Sequence, residues 1–120
     1  MNKVEREITV AAEPEDVWRA LTDEVLLSEW LAPEVELEAE VGGELYVRSE
    51  DGEERWDTVD ELEEGRRLAF TWADSSVELS VDAVSDGRTR VRVVETAALP
   101  VSDWGPRLTA LASACALTLA

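Results

Sequence analysis

Apolar and polar residues alternate with a period of two along most of this chain. Between Val35 and Thr96 the runs VELEAEV, ELYVRS, RWDTVDEL, RRLAFTW, VELSVDAV and RTRVRVVET repeat that alternation, the pattern of strands with one buried face. The links between them are short: Gly42-Gly43, EDGEE, EEG, ADSS and SDG. Asp51-Gly52 and Asp86-Gly87 are hairpin signals, and links this short force antiparallel neighbours. An earlier run, Lys3 to Val10, alternates in the same way and predicts a first strand with Ile8 and Val10 inward.

The period changes in three places. PEDVWRAL starts with Pro14 in a first helical turn, has Glu15 and Asp16 to complement the helix N-terminus, and brings Val17, Trp18 and Leu21 to one side. Thr22 or Asp23 then caps a second short helix, EVLLSEWL, whose apolar side is Leu26, Leu27, Trp30 and Leu31 and which Pro33 ends. After the last strand, SDWGPRLTALASACALTLA sets Trp104, Leu108, Leu111, Cys115 and Leu119 near helical spacing, with Ser102 or Asp103 as cap. The order predicts an α+β fold: one strand, two short helices, about six further antiparallel strands and a long C-terminal helix. A sheet of this length must bury one face, and a curved sheet gripping the final helix does so with the fewest elements.

Extending the alternation gives an inward face of Leu45, Val47, Leu68, Phe70, Trp72, Val77, Leu79, Val81, Val91 and Val93, and the next inward position is Glu95. An acid continuing an apolar face either sits at a wet edge or is buried and paired, since an isolated buried carboxylate is costly. Arg48 and Arg55 are candidate partners. In RWDTVDEL the parity is ambiguous, because Asp57, Val59 and Glu61 compete with Trp56, Thr58 and Leu62 for the inside.

Composition narrows the function. At 120 residues the chain suits one domain, residues 1–120. Its 28 acidic and 11 basic residues give a net charge of −17, which repels nucleic-acid backbones and anionic membranes. No apolar run is long enough to span a bilayer, and MNKVEREITV carries charge where an export signal needs apolar residues. A single cysteine, Cys115, forms no internal disulfide and suits the cytoplasm. Histidine is absent, which excludes Ser-His-Asp and Cys-His catalysis and His-ligated zinc within the chain. The acidic pairs lack the spacing of a calcium loop, and no nucleotide fingerprint occurs, so no metal or cofactor is expected.

Several stretches together resemble the START-like superfamily, in the branch that includes the domain homologous to the C-terminal part of the Hsp90 ATPase activator. They are REITVAAEPEDVWRALTD (Arg6 to Asp23), WLAP (Trp30 to Pro33), VGGEL (Val41 to Leu45), DGEERWDTVDELEEGRRLAFTW (Asp51 to Trp72) and VRVVET (Val91 to Thr96). The resemblance implies a helix-grip fold, a curved sheet of about six to seven strands around the C-terminal helix, of the kind found in bacterial single-domain proteins. It also implies a cavity between sheet and helix of the sort used for lipids, polyketides or hormones. The segment AALPVSDW is short, so any cavity here should be small.

On this basis the expected function is binding of a small apolar or aromatic ligand. Phe70, Trp72, Leu108 and Leu111 supply surface, Glu95 a polar anchor, and Trp30 and Trp56 complete the candidate set. One alternative is a cyclase or hydrolase using Glu95 with an arginine as acid/base pair. Another is a co-chaperone-like interaction module with a filled interior and a working outer surface. No oligomeric state is readable from the chain.

Overall fold

Asp23 divides the first helical region in two. Its side chain accepts from the backbone N–H groups of Val25 and Leu26 at 2.9 and 3.1 Å, ending α1 (Pro14–Thr22) and starting α2 (Glu24–Trp30). The Trp30 indole N–H donates to the Ala20 carbonyl at 2.8 Å, which folds α2 back on α1. The computed structural model describes residues 2–98 and 104–119, with side chains through Cys115. The expected caps Ser102 and Asp103 and the side chain of Leu119 lie outside the described residues.

The strands are β1 (Asn2–Val10), β2 (Glu34–Leu37), β3 (Glu44–Arg48), β4 (Glu54–Glu63), β5 (Arg67–Trp72), β6 (Ser75–Ser85) and β7 (Arg88–Ala97). They form one antiparallel sheet in the order β1-β7-β6-β5-β4-β3-β2, and α3 (Trp104–Leu119) follows. This is the curved-sheet, helix-grip α+β architecture. The cover over the apolar face is shared more widely than the strand count suggests. α1 packs over β6 and β7, and α3 lies against α1, α2 and β1.

Two local features set the register. VELEAEV yields a strand only as far as Leu37. The chain then turns through Gly42, at φ +84°, and Gly43, where an added Cβ would lie 2.2 Å from the Glu38 carbonyl oxygen. In β4 the ambiguous parity resolves by halves. Asp57 and Val59 are buried, the register shifts between Val59 and Glu61, and beyond that bulge Leu62 takes the inner side opposite Leu68. Trp56 therefore points outward.

The β2 edge is blocked by α2. The Leu37 N–H donates to Glu24 Oε2 at 2.8 Å and the Val35 N–H to Ser28 Oγ at 3.2 Å, so groups that would template another strand are already bonded.

Cys115 lies buried on the inner side of α3, and burial, with a smaller contribution from the Asp16 charge, pushes its thiol up to about 11. In the unfolded chain a thiol titrates near about 8.5, so above that pH the unfolded state releases a proton that the native state retains. Stability should fall as pH rises from about 8.5 towards 11, and Cys115→Ala should lack this component. Urea titrations of both proteins at several pH values test it. Parallel losses would mean that the native thiol is not shielded.

Candidate functional site

The alternation of β7 turns Thr89, Val91, Val93, Glu95 and Ala97 inward, all buried. Glu95 has no exposed surface. Register places it opposite Val4 on β1 and Val77 on β6, and Val77 opposite Phe70 on β5, so a carboxylate sits in an otherwise apolar cross-strand row. The indole N–H of Trp104, the first residue of α3, donates to Glu95 Oε1 at 3.0 Å. A charge-assisted bond of this kind offsets part of the cost of burying the acid.

Aromatic rings close around that bond. Phe70 meets Trp72 edge-on with centroids 5.9 Å apart, and Trp72 meets Trp104 at 6.0 Å. The Arg55 guanidinium lies 4.4 Å from the Trp72 ring, and that of Arg107 lies 5.5 Å from Trp72 and 5.4 Å from Trp104. Arg107 Nε also donates to the Leu31 carbonyl at 3.0 Å, tying α3 to the end of α2.

Beside Arg55, Asp57 accepts from Arg55 Nε at 2.6 Å, from the Thr71 hydroxyl at 3.3 Å and from the Ala73 N–H at 3.2 Å. The arginines expected near Glu95 are thus engaged elsewhere, Arg55 with Asp57 and Arg48 with Glu34 at 2.5 Å.

Of the residues singled out from the sequence, Phe70, Trp72, Glu95, Leu108, Leu111 and Trp30 are all buried on the helix-covered side of the sheet. Trp56 is not with them. It is 58% exposed on the opposite face, because the pleat that buries Asp57 turns its neighbour outward.

Sequence reasoning did not single out Asp57 or Arg107, yet signals were present. Asp57 is an acid on the same parity as Val59, the pattern that marked Glu95, and Arg107 is the one charged residue in the sequence of α3.

Apolar side chains of the inner sheet face and of α1 and α2 pack closely together. Among the described residues a void of about 10 Å³ lies between the sheet and α1–α2, among Leu21, Leu27, Leu31, Leu68, Phe70 and other apolar side chains that offer an ordered water no polar partner. Outside it, an open groove of about 700 Å³ runs between the end of α2, the β3–β4 turn and the start of α3, and Leu31 borders both spaces. Among the described residues no cluster of His, Cys, Asp or Glu is arranged to hold a metal ion, and no helix is long and apolar enough to cross a membrane.

Residues 11–105 match the family described as Activator of Hsp90 ATPase homolog 1-like protein. No curated protein matches the chain in sequence. Among solved structures, a protein of Mesorhizobium loti superposes with a TM-score of 0.85 at 23% identity, over 98% of this chain and 98% of its own. A protein of Nitrosomonas europaea gives 0.83 at 20% identity, over 97% and 95%. The AHSA1-like protein of Aeromonas hydrophila gives 0.82 at 20% identity, over 98% and 94%. At these identities the structures establish a shared fold, and the family match covers most of the chain. The chain therefore belongs to the family of Activator of Hsp90 ATPase homolog 1-like proteins.

Proposed function

We propose that this chain is a cytoplasmic binding domain for a small apolar or aromatic molecule, gripped between the sheet and α3. Family membership supports a ligand-binding or co-chaperone-like domain. The observation that carries the finer reading is the buried Glu95 carboxylate, whose donor Trp104 belongs to the first turn of the helix a ligand would have to displace. A ligand hydroxyl or N–H that takes the place of the indole keeps the acid bonded while the ligand's apolar body packs on Phe70, Trp72, Leu108 and Leu111. Entry is by way of the groove bordered by Trp30, Leu31 and Arg107. Apolar burial against two aromatics reaches micromolar affinity with about 8 kcal/mol.

Native mass spectra of the gently purified protein, followed by titration with a panel of apolar aromatics bearing one hydroxyl, test the proposal. A retained adduct, with affinity lowered about tenfold in Glu95→Gln through loss of a charge-assisted bond, is the expected result. A clean mass and no shift with any member of the panel would sink the binding reading.

A second reading rests on the small void. With a void of only about 10 Å³ between the sheet and α1–α2, this part of the domain also suits a rigid module that works through its surface, as a co-chaperone-like partner would. The two readings part on whether any ligand enters the interior.

A further inference from the structure

The outer face of β2, β3 and β4 carries two aromatic rings that no helix covers. ELYV and ERWDTV alternate so that Leu45, Val47, Asp57 and Val59 turn inward, which leaves Tyr46 and Trp56 on the solvent side. Register sets Glu36, Tyr46 and Trp56 in one cross-strand row, with the two ring centroids 5.3 Å apart at 49°. The flanking rows are charged. Glu34, Arg48 and Glu54 lie on one side and Glu44 opposite Thr58 on the other, and Arg48 is already paired with Glu34. Partial desolvation, and then the charges of Glu54 and Glu34, hold the Tyr46 phenol above its ordinary pKa, as expected where negative potential surrounds an aromatic surface.

A cross-strand aromatic pair stabilises a sheet by itself, but that role does not require Trp56 to remain 58% exposed beside a cleft lined by glutamates. The cleft is about 280 Å³, just under the range of about 300–1,000 Å³ typical of small-molecule sites, and suits a single long side chain. We propose that this face docks a basic segment of a partner protein, with an arginine or lysine side chain laid on the Trp56 ring among Glu36, Glu38 and Glu44. Cation–π attraction and surrounding carboxylates act on the same charge, and exposed tryptophan is a residue type that dominates interface energetics. The net charge of −17 steers a basic partner toward the domain. It opposes a second copy of this chain, whose glutamates would face these, and an anionic lipid surface. The proposal is independent of what occupies the interior.

The test is fluorescence-anisotropy titration of a labelled dodecapeptide alternating arginine and glycine, with a citrulline-for-arginine peptide as neutral control. Trp56→Thr, which leaves the net charge unchanged, should weaken binding about tenfold, and Trp56→Phe less, following the cation–π ranking of the rings. The pair Glu36→Gln and Glu44→Gln should weaken it more than Glu13→Gln and Glu15→Gln, an equal charge loss on the helix-covered side. Circular dichroism checks that each variant is folded. Absence of binding, or equal weakening by both glutamine pairs with no effect of Trp56→Thr, would overturn the proposal in favour of diffuse acidity. A concentration-dependent dimer in sedimentation velocity that Trp56→Thr abolishes would overturn it in favour of self-association.

Discussion

Trp104→Ala should be the most damaging single substitution, lowering the free energy of unfolding by about 3–5 kcal/mol for loss of a buried indole. Trp104 is 1% exposed, and its ring packs on Trp72 while its N–H bonds Glu95. The truncation thus removes apolar packing and a donor to a buried carboxylate together, and native domains have only about 5–15 kcal/mol to lose.

Trp104→Phe separates the two effects, since it keeps much of the apolar body and removes the donor. It should cost about 1–3 kcal/mol through the acid left without that partner. Glu95→Leu, combined with Trp104→Phe, should recover part of this loss, because it removes the buried acid that the indole no longer serves. Urea denaturation of the two single variants and the double variant closes the cycle. If Trp104→Phe is silent, the carboxylate is satisfied without the indole, and the anchoring role proposed for Glu95 loses its structural basis.

Asp57→Ala should cost about 2–4 kcal/mol, second only to loss of Trp104, because one buried carboxylate holds three donors. It accepts from Arg55, Thr71 and the Ala73 N–H, so its loss frees an arginine stacked on Trp72 and loosens the β5–β6 turn. Ala73 has a φ of +53°, a conformation that costs a residue with a Cβ about 1–2 kcal/mol. Ala73→Gly should therefore raise stability by about 0.5–1 kcal/mol, after allowance for the extra freedom of glycine in the unfolded chain.

The coupling between the two positions tells the mechanism apart. If Asp57 acts by clamping a strained turn, Asp57→Ala should cost less in the Ala73→Gly background than in the wild type. If its main work is to pair with Arg55, the two changes should be additive. Asp57→Asn, which retains an acceptor and loses the charge, should fall between wild type and Asp57→Ala.

Much of the architecture is legible in the chain because its causes are local. Alternation marks strands wherever one face is buried, and it places Leu68, Phe70, Trp72, Val77, Leu79, Val91 and Val93 on the inner side, where all are buried. Pro14 and Asp23 mark the two short helices through backbone chemistry confined to a single turn. The arrangement of β4 is less legible. A one-residue bulge between Val59 and Glu61 exchanges the inner and outer sets halfway along, so both readings of RWDTVDEL hold, each for its own half. Periodicity carries no sign of where such a bulge falls, since its position depends on the partner strand.

The candidate site divides in the same way. Period-two patterning brings Glu95 to the inner face beside Phe70 and Trp72, and family motifs identify the helix-grip frame that contains them. That Trp104 supplies the indole bonded to Glu95, that Arg55 turns to Asp57, and that Arg107 lies over two tryptophans follow from how α3 seats against the sheet. The sequence by itself determined the elements, their order and, outside β4, which strand side chains face inward, because those depend on residues a few positions apart. Only the tertiary structure decided that Trp104 of α3 meets Glu95 and that Trp56 stands on the far side, because these depend on strand register and on distant side chains competing for one volume.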